Sequence, residues 1–128
     1  ENFTVPANSQ LQVICDPLWP DSQEILNSSD KAKEMASQVL ESEFLSRQLA
    51  SADIPSEAPM VLDIDLDYFL NSAALNPKSP ELFLSLVRRS PIITISLERE
   101  WVKILRLKGE AISSESILSE LLQLIRQA

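Results

Sequence analysis

Apolar positions along this chain change their spacing several times, and each change marks a predicted element. Residues 11–15 (LQVIC) form a short apolar run ending at Asp16-Pro17, which predicts a strand entering a loop. The loop continues past Trp19 and Pro20 through a polar stretch. From residue 30 to about 51, Ala32, Met35, Ala36, Val39, Leu40 and Phe44 recur at helical spacing. Residues 54–59 (IPSEAP) break that helix and lead into residues 60–70, where the spacing becomes alternate. An uncharged loop with Asn71, Asn76 and Pro77 follows. Ser79-Pro80 then offers an N-cap and a first-turn proline for a helix to about Arg89. Residues 91–96 (PIITIS) are apolar and β-branched, as in a buried strand. Helical spacing returns over 97–108 at Trp101, Ile104 and Leu105, with Gly109, the only glycine, placed as a C-cap. The last segment, 114–127, is an amphipathic helix with Ile117, Leu118, Leu121, Leu122 and Ile125 on one face. Strands alternating with helices predict an α/β fold with a parallel sheet, whose ligands bind beyond the carboxyl ends of its strands.

The segment MVLDIDLDYFL (60–70) carries most of the candidate chemistry. Read as one strand, it sends Asp63, Asp65 and Asp67 to one face and Leu62, Ile64 and Leu66 to the other. Carboxylates on alternate residues stand roughly 6–7 Å apart, close enough to share a cation or a pair of cations. Inside a sheet, each unpaired carboxylate would cost several kcal/mol to bury, and a divalent metal is the most economical compensation. The plainer reading is the solvated face of an edge strand.

Charge and composition narrow the partners. Eleven Lys and Arg against nineteen Asp and Glu leave a net charge of −8, which disfavours phosphate backbones and anionic membranes. A metal ion, an ammonium or a guanidinium suits that field. Neither a nucleic acid nor a membrane is therefore an expected partner. Histidine is absent, which removes Ser-His and Cys-His nucleophile pairs and any histidine metal ligand from this chain. Cys15 is the only cysteine, so no intrachain disulfide forms and a reducing, cytoplasmic compartment is expected. Without a base or a second cysteine beside it, Cys15 reads as a small buried hydrophobe. One glycine in 128 residues leaves no GxGxxG or Walker A phosphate cradle.

The string LDIDLDYF (62–69) resembles the signature of the peptide arginase family, relatives of the arginase and deacetylase ureohydrolases. The strand at 91–96, about two dozen residues on, is also similar to that family's pattern. The resemblance implies a three-layer fold, a parallel sheet flanked by helices. It also implies a manganese-dependent hydrolase with two Mn²⁺ ions, converting an arginine, peptidyl or free, to ornithine and urea. Carried over by position, Asp63 would bridge both ions and Asp65 would bind one. Asp67 would be a carboxylate behind the metal or facing substrate, and Glu98, past the end of its strand, would clamp the guanidinium. Hard oxygen donors favour Mn²⁺, and paired ions activate water at neutral pH. The same family needs an Asp-x-His-x-Asp ligand run and a further His, which a histidine-free chain does not hold. Either the chain is a carboxyl-terminal portion of a larger enzyme, completed by an N-terminal fragment or chain that supplies the His and Asp ligands, or it has lost the activity; the first is the expectation. A start at Glu1 rather than Met leans the same way. Residues 1–128 would then form one α/β unit or the end of one: strand and loop at 1–29, helix at 30–53, and the metal-site strand with its covering elements at 60–128.

Two other readings stay open. Phosphatases of the haloacid dehalogenase type, which are Mg²⁺-dependent, also begin on an apolar strand ending Asp-x-Asp. Ser96 would match their second motif and Lys103 or Lys108 their third. The continuation Leu66-Asp67-Tyr68 departs from the Gly-Thr-like pair of that family. The third reading is a non-catalytic acidic α/β subunit that binds a partner through uncovered strand edges and apolar surface. Glu98 and Glu100 are also explained as acids favoured at a helix start. Trp19, Trp101, Tyr68 and Phe69 read as packing residues.

Overall fold

Leu62 and Ile64 are buried while Val61, Asp63 and Asp65 between them are exposed. That alternation makes a five-residue strand with one covered face, β1 (Val61–Asp65). The computed structural model describes residues 30–50 and 58–128. The readings made at 1–29, including the strand at 11–15, Cys15, Asp16 and Trp19, lie outside the described residues, as does most of the 54–59 linker. β1 is followed by a helix, α3 (Glu81–Arg88), and by a second strand, β2 (Ile92–Ser96), which pairs parallel to β1. The register sets Val61 against Ile92, Asp63 against Thr94 and Asp65 against Ser96. Among the described residues, two helices precede β1, α1 (Asp30–Ser37) and α2 (Ser42–Leu49); two follow β2, α4 (Arg99–Leu105) and α5 (Ser114–Ile125). The described residues thus form a mixed α/β structure with a two-stranded parallel sheet and five α-helices. No helix among them is long and apolar enough to cross a membrane.

The acidic strand is shorter than its sequence pattern indicates. Leu66–Tyr68 is a turn of 3-10 helix, closed by the Phe69 N–H donating to the Leu66 carbonyl at 3.2 Å. A 3-10 turn aligns residues three apart, and here Leu66 and Phe69 are almost wholly buried. A continued strand would bury Leu66 on the face of Leu62 and Ile64; the turn brings Phe69 to that same side, a burial worth roughly 1.5–3 kcal/mol. Asp67 therefore stands on the turn and does not extend the Asp63–Asp65 row, which corrects the three-carboxylate face.

The helix expected over 30–51 is divided. The Gln38 N–H donates to Met35 and the Glu41 N–H to Gln38, and Glu41 is extended at φ −67°, ψ 140°. Dividing the helix lets its two halves serve different clusters. Ala32 and Ala36 pack with Leu70 and Leu107, while Phe44 and Leu45 join the main core of Leu62, Ile64, Leu66, Phe69 and the α5 residues Ile117, Leu121 and Leu124. α4 also differs from its sequence reading. Val102 is its buried residue, and Trp101 and Ile104 are exposed, so Trp101 is not core packing. The helix ends at Leu105, and Gly109, at φ +90°, turns the chain further on instead of capping it.

Hydrogen bonds lock these elements around the sheet. Met60 N–H donates to the Arg89 carbonyl and the Arg89 guanidinium to Ala58, fixing the entry to β1 beside the end of α3. The Ser114 hydroxyl donates to the Leu97 carbonyl, tying the start of α5 to the exit of β2. α5 opens on a reciprocal cap in which Ser113 and Ser116 each accept the other's backbone N–H.

Candidate functional site

Parallel pairing brings the polar ends of both strands to one edge. On the exposed face the rows run Val61–Ile92, then Asp63–Thr94, then Asp65–Ser96 at the carboxyl end. The first row is apolar and more than half exposed at both residues. The next two rows carry carboxylates from β1 and hydroxyls from β2. The Thr94 hydroxyl donates to Asp63 Oδ1 at 2.6 Å, so one carboxylate oxygen is oriented by the neighbouring strand. Asp67 and Glu98 follow the two strand ends, on the 3-10 turn and on the entry to α4 respectively.

Glu98 is the one non-glycine residue among those described with positive φ, at φ 47° and ψ 44°. A glutamate in the left-handed region carries a backbone cost of about 1–2 kcal/mol, and such positions concentrate at functional sites. Its carbonyl accepts from Val102 N–H at 2.8 Å, which starts α4, while its Oε1 accepts from the Ser96 hydroxyl at 2.9 Å. That geometry folds the carboxylate back over the end of β2. Glu98 stands at the N-cap of α4, as the helix-start reading has it, but its side chain makes no capping hydrogen bond and is held by Ser96 instead. Glu100 lies in the first turn of α4 and fits that reading.

Asp63 and Asp65 are exposed, which removes one argument made from the sequence. Burial does not oblige either carboxylate to find a compensating cation. In chemical kind the two fit a hard divalent metal: oxygen donors on alternate residues of one face. In number they fall short of a two-ion centre. Among the described residues no group of three or more His, Cys, Asp or Glu side chains is arranged to hold a metal ion. A complete centre of the kind the resemblance implies needs donors from beyond these residues.

Of the residues named for the phosphatase alternative, Ser96 stands at the carboxyl edge, with its hydroxyl committed to Glu98. The charge of Lys103 is felt at Glu115, at the start of α5. There a hydrogen bond from Arg99, at 2.7 Å, is the main cause holding the carboxyl below its ordinary range. Thr94 is the site residue that sequence reasoning missed. The signal was present, because Thr94 and Ser96 are the two polar positions in an otherwise apolar strand, at the same two-residue spacing as Asp63 and Asp65. Compared with known protein families, curated protein sequences and solved structures, the chain matches none.

Proposed function

We propose that this chain supplies the Asp-x-Asp portion of a manganese-dependent hydrolase acting on a guanidinium group. The reaction is that of a peptide arginase: arginine, free or in a peptide, and water give ornithine and urea. The observation that carries the reading is the row of Asp63 and Asp65 on the exposed face of a parallel strand pair, with Ser96 and Glu98 at its carboxyl edge. Asp63 and Asp65 would hold metal, with the remaining His and Asp ligands supplied by another segment or chain. The sheet would then be the end of a larger three-layer sheet. Two Mn²⁺ ions, when bound, would activate the attacking water. The chain's own part is orientation. Thr94 fixes the Asp63 carboxylate, while Glu98 presents a carboxylate that can pair in a two-pronged manner with a permanently charged guanidinium. Asp67, on the turn beyond β1, would face substrate or support the ligands.

The test uses the full chain and Mn²⁺ alone. Substoichiometric Mn²⁺ is added, and paramagnetic broadening of backbone amide signals is compared between residues 63–65 and the carboxylates Glu110 and Glu120, which lie outside the β1–β2 sheet. Selective broadening at 63–65, lost in Asp63→Asn with the remaining spectrum unchanged, is the expected result. In the completed enzyme the same substitution should abolish metal retention and ornithine release. Uniform broadening over all acidic positions, or full activity of the variant, would defeat the metal assignment.

A second reading has its own observation. Val61 and Ile92 form an exposed apolar pair on a parallel sheet, and parallel sheets are ordinarily covered on both faces. An acidic interaction subunit without catalysis would use that same surface. Retention of partner binding in Asp63→Asn, together with no metal effect in any assembly, would favour it.

A further inference from the structure

We draw no further inference here: the strongest candidate, the open apolar end of the β1–β2 sheet face at Val61 and Ile92, is an unpartnered surface and nothing in the structure shows what covers it.

Discussion

Glu41 holds two segments together that are far apart in sequence, and removing its charge should cost measurable stability. Its Oε2 accepts the Lys78 N–H at 2.9 Å and its Oε1 the Ser79 N–H at 2.7 Å. The next residue completes a reciprocal clamp. Ser42 donates both its backbone N–H and its hydroxyl to the Ser79 carbonyl, and its oxygen accepts the Leu82 N–H at 3.1 Å. The starts of α2 and α3 are thereby fastened to each other, and α3 is the crossover between the two strands. In Glu41→Gln the side chain keeps its shape but turns an amide NH₂ toward one of the two backbone donors. Hydrogen bonds to a charged acceptor contribute about 1.5–3 kcal/mol each when protected, and Lys78 and Ser79 lie at the surface, so half or less is expected here. A net loss of about 1–2 kcal/mol follows, which for a chain of this size lowers Tm by roughly 3–8 °C. Urea unfolding followed by circular dichroism measures it, with Glu43→Gln as the control. Glu43 meets Arg47 at 3.6 Å on the exposed side of α2, and such a pair contributes no more than about 0.5 kcal/mol. Equal stability of Glu41→Gln and the wild type would refute the clamp.

Two further substitutions probe the elements around the site. Gly109→Ala should destabilise by roughly 1–2 kcal/mol in urea unfolding, because a Cβ there meets nothing within 4 Å and the whole effect comes from φ +90°. A neutral result would mean the turn relaxes. Arg99→Gln should raise the titration midpoint of Glu115 toward the ordinary carboxylate range, read by NMR through the acid range, since the Arg99 hydrogen bond is the main cause of its depression. A folded value held below the unfolded one contributes stability above the unfolded value and loses it as pH falls through the folded one. The Arg99 variant should therefore show a weaker acid-side decline. An unmoved Glu115 titration would show that the pair does not persist in solution.

The β1–α3–β2 unit was legible because its signals are local. The alternation in LDID, the β-branched run IITIS and the Ser-Pro helix start each depend on neighbours within a few residues. Failures came where a distant contact decided the outcome. The strand stopped at Asp65 because Leu66 and Phe69 both reach the core by a three-residue turn. The long helix divides before Ser42, and the Glu41 carboxylate at the break takes the distant backbone N–H groups of Lys78 and Ser79. Trp101 faces outward although its spacing suited a core helix, because Val102 and Leu105 take the inner side. The site was legible in residue type and incomplete in arrangement. Alternation placed Asp63 and Asp65 on one face, and of the two readings of that face it is the solvated one that the structure shows. Glu98 carries two readings from the sequence, a guanidinium clamp and a helix-start acid, and nothing in the sequence announces its left-handed backbone.

Under the proposed half-site reading, the openness of the Asp63–Asp65 face sets how metal binding would depend on the rest of the site. Carboxylates about 6.5 Å apart repel by only about 0.6 kcal/mol through water, but by about 2–3 kcal/mol at an effective dielectric constant near 20. The exposed row therefore tolerates its own charge without a cation in this chain. Covering the face with a further polypeptide segment would displace water from Asp63 and Asp65 and raise that repulsion severalfold. A segment docking there without a cation meets this cost, and one docking with Mn²⁺ bound does not. Metal affinity and segment affinity must then be coupled, each raised by the other by the same factor. Differences of about 2 kcal/mol correspond to roughly thirtyfold, well within reach of a titration. The expected outcome is that a histidine-bearing Asp-x-His-x-Asp polypeptide binds this chain more tightly with Mn²⁺ than with a chelator, by about that factor. In Asp63→Asn, where the row loses a charge, metal-free docking should become easier and the Mn²⁺ enhancement should disappear. Docking that ignores both Mn²⁺ and the Asp63 charge would mean the acidic row lies outside the joined surface, and the half-site reading would fall with it.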